Sequence, residues 1–435
     1  MVILSCFGGT LPALKPVQAM EGLIPKLEPV QHVSSNPNLY VSAENPLFKS
    51  YFAGPMVIEV IVTDPNIQRL DQSYGEPVVT VNGKRLRMAQ GTDGNWYGYF
   101  ADRNQAIAAA NTAILSGKGL NFGGFCDPGS SFSPKSGVDY SQTKGFTIAR
   151  GGFGSKNDTN NGGAKITPSN FAFCTNTPGT LTTNQMEHVI RENKTLNTNT
   201  GGFAASTEYE NAWPIIQLYD FSSIPTPVTV DYQKSGGDQI VNLVFDRIPS
   251  NLIHVYADRP DFPRGSQVQG DLLDPQLNID PTSEDSWTWG ASITNNTLYY
   301  MAFGRDGQPD ADGTPAMQNL IGNLTTFMFN HNGRLTENPN PQGVVVAKQQ
   351  SNGIQTLFAD NYGLMRTKSI DALSVPITIS ELTPNSGIFS DYDQGGIADI
   401  MIKTDAPRDK SFTVTYNDRT YSVVVKFHTA TLTMG

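Results

Sequence analysis

Cysteine is scarce in this chain, with three among 435 residues, too few for a scaffold stapled by disulfides. Histidine numbers five, which leaves little metal or acid–base chemistry near neutral pH. Charge is sparse as well: 16% of residues are Asp, Glu, Lys or Arg, against a typical value of about 25%. The 30 basic residues are outnumbered by 40 acidic ones, for a net charge of −10. That balance argues against nucleic acid as a partner, because phosphates need Lys and Arg to release their counterions. It suits a surface that gathers cations and bridges to neighbours through divalent metal. No run approaches the ~20 apolar residues of a transmembrane helix.

Gly, Pro, Asn, Thr and Val fill the space these absences leave, the texture of an exported all-β protein. The start and the end of the pattern each occur twice. Tyr40-Val-Ser-Ala-Glu-Asn-Pro-Leu-Phe48 reads against His254-Val-Tyr-Ala-Asp-Arg-Pro-Asp-Phe262. Val228-Thr-Val-Asp-Tyr232 with Val241-Asn-Leu-Val-Phe245 reads against Phe412-Thr-Val-Thr-Tyr416 with Val423-Val-Val-Lys-Phe427. Two tandem β units are expected, 39–248 and 249–435, each with its opening strand in the same sheet as its closing pair. A repeated β unit offers surface rather than a cleft, which favours a wall, adhesin or stalk over an enzyme.

Residues 1–38 read as leader and linker. Val2–Ala13 is mildly apolar and Val17-Gln18-Ala19 has the form of a cleavage site, but Pro12 and Pro16 interrupt the stretch and no basic region precedes it. A signal-peptide remnant and an ordinary leader both fit. Met56–Val62 and Trp96–Phe100 read as strands, and Pro77–Val81 and Lys84–Met88 as a hairpin about Asn82-Gly83. Asp102–Leu115 has the Ala content and Asp cap of a helix. From about 117 to 202 the periodicity dissolves into Gly, Asn, Thr and Ser, which reads as a long surface insertion without strands. Strands resume at Trp213–Tyr219. In the second unit Gln267–Leu273, Thr297–Phe303, Leu324–Phe329, Val344–Val346, Ile354–Phe358, Val375–Ile379 and Ile397–Ile402 read as further strands. The fold class expected is all-β, two tandem immunoglobulin-like β-sandwiches, the first carrying the insertion.

Cys126 and Cys174 lie inside the insertion, each preceded by Phe. In an exported chain a disulfide is expected between them, closing a loop of about 49 residues worth ~4 kcal/mol on the chain-entropy model. The alternative is two buried free thiols. Cys6 has no evident partner.

Several strings are similar to the surface-layer (S-layer) proteins of ammonia-oxidising archaea. They are Glu44-Asn-Pro-Leu-Phe48, Phe52-Ala-Gly-Pro-Met-Val-Ile-Glu-Val60, Pro77–Lys84 and Thr92–Ala108 in the first unit. In the second they are Leu277-Asn-Ile-Asp-Pro-Thr-Ser-Glu-Asp-Ser-Trp287 and Pro384-Asn-Ser-Gly-Ile-Phe389. The likeness spans residue 39 to the end and corresponds to the N-terminal portion of such proteins or to a short paralogue. It implies tandem immunoglobulin-like domains, an extracellular lattice at the cell surface formed by self-association, and no catalysis.

Asp306, Asp310 and Asp312 crowd three carboxylates onto one turn, a candidate Ca²⁺ site, since hard cations take 6–8 oxygens. Asp274, Asp280, Glu284 and Asp285 form a second candidate. Both compete with the reading of solvated acidic loops. Four sequons, at Asn157, Asn193, Asn295 and Asn323, are candidate glycosylation sites. Catalytic constellations fail one by one. Glu187-His188 lacks the second His of a zincin helix, and no Gly-x-Ser-x-Gly occurs. Gly117-Lys-Gly119-Leu-Asn-Phe-Gly123 misses the dinucleotide spacing, and Gly152-Phe-Gly-Ser-Lys156 has no phosphate-loop spacing. Trp96, Tyr97, Trp287, Trp289 and Tyr299 read as core rather than sugar platforms. The leading expectation is a non-enzymatic structural protein. A secreted adhesin or glycan-binding module is the first alternative, and a polysaccharide hydrolase, needing two facing carboxylates, the second.

Overall fold

Val228, Val230 and Tyr232 are buried while Thr229 and Asp231 between them are half-buried, the period-two pattern of a strand with one wet face. Repeated along the chain, that pattern gives a fold made mostly of β-strands in several sheets. The computed structural model describes residues 36–72, 75–110, 120, 122, 124–126, 145–148, 174–175, 189–190, 194–197, 213–223, 226–292, 295–302, 318–319, 324–331, 333, 335–338, 345–347, 356–358, 365–367, 377–391, 398, 400–402 and 404–426.

The first set of strands is β1 (Leu39–Val41), β2 (Tyr51–Phe52), β3 (Ile58–Val62), β4 (Val78–Val81), β5 (Lys84–Leu86), β6 (Ala89–Gln90) and β7 (Trp96–Asp102). After helix α1 (Arg103–Ala110) come β8 (Gly124–Cys126), β9 (Phe146–Ile148), β10 (Cys174–Thr175), β11 (Ile215–Tyr219), β12 (Val228–Gln233) and β13 (Gln239–Phe245). One sheet runs β1-β3-β7-β11-β9-β8-β10, with β6 also on β7; the other runs β2-β13-β12-β4-β5. Side chains of the two sheets meet where Phe52 packs edge-on against Phe100, with ring centroids 6.1 Å apart. Phe221 packs against both rings. Central β7 is buried along its whole length. The hairpin about Asn82-Gly83 forms as expected, both turn residues at positive φ. So does the helix, described over Arg103–Ala110, with Asp102 Oδ1 accepting from the Gln105 amide at 2.8 Å; residues 111–115 of the expected span lie outside the described residues.

The second set is β14 (His254–Ala257), β15 (Asp261–Phe262), β16 (Gln267–Val268), β17 (Gly270–Leu273), β18 (Ser286–Ser292), β19 (Asn295–Ala302), β20 (Gln318–Asn319) and β21 (Leu335–Asn338). It continues with β22 (Val345–Ala347), β23 (Thr356–Phe358), β24 (Met365–Thr367), β25 (Ile377–Glu381), β26 (Ile388–Ser390), β27 (Ile400–Ile402), β28 (Ser411–Tyr416) and β29 (Arg419–Val425). The large sheet runs β14-β17-β26-β25-β18-β19-β21-β28-β29-β15, with β20 on β19; β16-β27-β22 and β23-β24 are separate. Among the described residues no strand of the first set is paired with one of the second.

The two sets share a plan. β1 pairs antiparallel with β3 as β14 does with β17, and the β12–β13 hairpin corresponds to β28–β29. In each set a short strand near the start runs parallel to the end of the last strand: Phe52 opposes Phe245, and Phe262 opposes Val425. This corrects the match by sequence in two places. Phe262 corresponds to Phe52 rather than Phe48, and Val241 corresponds to Tyr421 rather than Val423. Both slips are by an even number of residues, which leaves every side chain on its own face and so escapes an alternating pattern. The expectation of a shared sheet holds for β14 with β28 and β29 but fails for β1, which lies across from β12 and β13. There the side chain of Gln239 makes the link, its Oε1 accepting from the amides of Asn38 and Leu39 at 3.0 Å each.

Two further expectations are corrected. The insertion is not strandless: β8, β9 and β10 extend the first sheet, and Leu120, Phe122, Phe125 and Phe146 are buried. Their strands are two or three residues long, below the length at which alternation is readable. Leu324–Phe327 is a 3₁₀ turn rather than a strand, with Leu324 and Phe327 buried three residues apart and Met328 at φ 66°. Trp96, Tyr97 and Trp287 are buried in the core.

Candidate functional site at the junction of the two units

One contiguous cluster of buried apolar residues runs from Leu39 to Val425, passing through the junction between the two sets of strands. On the first side the chain leaves β1 through a 3₁₀ turn, Ser42–Glu44. Asn45 then braces a tight loop, its Oδ1 accepting from Leu47 N at 2.9 Å and its carbonyl from Phe48 N at 2.9 Å. The loop throws Phe48, fully buried, onto the second unit. On the far side the turn between β25 and β26 carries Asn385 at φ 60° and Gly387 at φ 65°. Asn tolerates the left-handed region better than other non-glycine residues. At Gly387 a Cβ would stand 2.7 Å from the Phe48 ring, so both the backbone twist and the close approach require glycine.

Asn385 is the hub. Its Nδ2 donates to the Tyr40 hydroxyl at 3.0 Å and to the Ser42 carbonyl at 2.9 Å. Its Oδ1 accepts from Asn278 Nδ2 at 2.8 Å, and its carbonyl accepts from Asn45 Nδ2 at 2.5 Å. Around it the Val57 amide donates to the Ile279 carbonyl at 2.9 Å. Asn330 Nδ2 donates to the Ile248 carbonyl at 2.6 Å, and Arg247 donates to the carbonyls of Phe329 and Thr325. Gly54 presses against the carbonyl of Phe327, leaving no room for a side chain. Burying the Phe48 ring alone supplies roughly 2–3 kcal/mol of hydrophobic stabilisation.

A buried acidic loop supports this hub from behind. Asp274 is turned to Gln276 and to the Tyr416 hydroxyl, 2.8 Å from its Oδ2. Asp280 Oδ1 accepts from the amide and hydroxyl of Thr282 at 2.9 and 2.6 Å. Asp285 Oδ2 accepts from the amides of Ile279 and Asp280 at 2.6 and 2.9 Å. Glu381 Oε1 accepts from the Gly387 amide at 2.6 Å, and its Oε2 from the Asp285 amide at 3.2 Å. Burial, and then the Asp285 charge, push the Glu381 carboxyl well above the usual range. Burial likewise raises Asp274. Of the carboxylates expected to gather a cation here, Asp274, Asp280 and Asp285 each accept from donors of the protein. Among the described residues no group of three or more His, Cys, Asp or Glu is arranged to hold a metal ion.

Asp306, Asp310 and Asp312 lie outside the described residues, as do Asn157, Asn193 and Asn323. The backbone of Asn295 begins β19. Cys126 and Cys174 face one another in the register of β8 and β10. Among the described residues no helix is long and apolar enough to cross a membrane.

Four of the six strings quoted for the S-layer resemblance meet at this junction. Glu44–Phe48 and Phe52–Val60 supply Asn45, Phe48, Gly54 and Val57, while Leu277–Trp287 and Pro384–Phe389 supply Asn278, Ile279, Asn385 and Gly387. A scan against protein-family models finds no match, and neither does a search of the curated proteins.

Proposed function

We propose that the chain is a non-enzymatic structural protein of a cell surface, built as two tandem immunoglobulin-like β-sandwiches and assembling laterally into a porous, acidic layer of the S-layer type. The observation that supports this reading is the junction, where the Asn385 hub bonds to Tyr40, Ser42 and Asn45 of the first set of strands rather than leaving the two sets joined by a free linker alone. A fixed angle between repeats is what a periodic sheet needs, because a hinge at each copy would defeat regular lateral contacts. The net charge of −10 supports an assembly held by divalent cations, which would neutralise carboxylates that otherwise repel. Asp306, Asp310 and Asp312 are the ligands proposed for them, and the layer's place is outside the cell.

Negative-stain imaging of the purified chain with and without Ca²⁺ tests the reading. Sheets that appear with Ca²⁺ and dissolve with a chelator are expected, and the paired changes Asp310→Asn and Asp312→Asn should weaken assembly while the fold survives. Monomers under every condition, with no heat of Ca²⁺ binding, would reduce the charge to a solubility device.

A further inference from the structure

The first sheet ends in three short strands, and their register lines up residues far apart in sequence. Ile58 of β3 opposes Phe100 of β7, which opposes Gln217 of β11, then Phe146 of β9, then Cys126 of β8, and last Cys174 of β10. The outermost pair in this row consists of two of the chain's three cysteines. Directly opposed residues of antiparallel strands have Cα atoms about 4.5–5.5 Å apart. Disulfides span Cα separations of about 4.4–6.8 Å, so the register alone brings the two within bonding range.

β10 has two residues and is paired with β8 alone, through Cys174–Cys126 and Thr175–Phe125. β9 already returns the chain to β8, so β10 closes the stretch between Ile148 and Cys174, and two ladder pairs are a small return for that closure, whose entropic cost grows with loop length. A covalent tie at the first of those pairs lowers that cost by constraining the unfolded chain instead. We propose that Cys126 and Cys174 form a cross-strand disulfide that fastens the outer edge of the first sheet.

The oxidant required is a small-molecule or protein disulfide. The thiolate of one cysteine attacks it, forming a mixed disulfide and releasing one thiol. The thiolate of the second cysteine then attacks the mixed disulfide, closing the cystine and releasing the second thiol. Two protein thiols are oxidised and one donor disulfide is reduced to two thiols. The inference is independent of any assembly into a layer.

Peptide mapping of the full chain tests it. The chain is incubated with oxidised glutathione, unfolded, treated with iodoacetamide to cap free thiols, and digested with trypsin without reductant. Lysines and arginines place Cys126 in peptide 119–135 and Cys174 in peptide 166–191. The expected product is those two peptides joined, with a mass two hydrogens below their sum, and Cys6 alkylated. Reduction should then release both peptides. A limited digest offers a second readout, because Lys135, Lys144, Arg150, Lys156 and Lys165 lie between the cysteines. Fragments cut there should stay together until reductant is added. Alkylated Cys126 and Cys174, a bond through Cys6, or nicked fragments that separate without reductant would each overturn the proposal.

Discussion

The side-chain amide of Asn385 donates to the hydroxyl of Tyr40 across 3.0 Å, tying together residues 345 positions apart in the chain. The same amide reaches the Ser42 carbonyl, and its carbonyl partner atom takes a bond from Asn278. One side chain therefore holds both units and the loop behind it.

Asn385→Ala should be among the costly substitutions of this protein. It would leave the Ser42 carbonyl and the Asn278 amide buried without this partner, at about 1–3 kcal/mol for a stranded group. It would also place a Cβ-bearing residue lacking the Asn side chain at φ 60°, at about 1 kcal/mol. A loss of roughly 2–4 kcal/mol in urea denaturation is expected, with the two units unfolding in separate steps. A loss under about 0.5 kcal/mol would show that the hub is ornamental.

Gly54→Ala should wedge the junction open, since its Cβ would drive into the Phe327 carbonyl. The backbone there has φ 56°, so strain is added as well. Gly83→Ala is the control: φ is 74°, but nothing lies within 4 Å of the added carbon. The turn variant should lose about 1 kcal/mol and the junction variant roughly 2–4 kcal/mol, with a larger radius of gyration by small-angle scattering. Equal losses would contradict the close packing at Gly54.

Stability should fall as pH rises above the ordinary glutamate range. Burial and the Asp285 charge hold the Glu381 carboxyl well above its ordinary range in the folded protein, whereas in the unfolded chain it loses its proton near 4.5. Above that value the folded state binds more protons than the unfolded one, so each further pH unit favours unfolding until Glu381 itself ionises. The raised carboxyls of Asp102, Asp271 and Asp274 act with the same sign. Urea midpoints measured from pH 5 to 8 should decline, and Glu381→Gln should flatten that slope without abolishing it. A midpoint that climbs with pH would refute the assignment.

How much of this was legible in the sequence depended on the length scale of the signal. The β12–β13 and β28–β29 hairpins could be read because each strand is six or seven residues long and alternates. Their pairing could not be placed to the residue, since a slip by two or four keeps the same faces inward. β8–β10 were invisible because two or three residues carry no period. The acids at 274–285 were recognisable as a cluster, but the amides that donate to Asp285 and Glu381 were not, since backbone donors leave no mark in a sequence. Asn385 and Gly387 did stand inside a string singled out by resemblance, yet nothing in that string points to Tyr40 or Phe48 as its counterpart.

The backbone passes from one unit to the other through Asp246–Pro249, and its Ile248 carbonyl is itself gripped by Asn330. Tension pulling the units apart would not travel along that short stretch of backbone alone. It would be shared with bonds at Tyr40, Ser42, Asn45, Val57 and Ile248, so separating the units requires these to break as well as the linker to straighten.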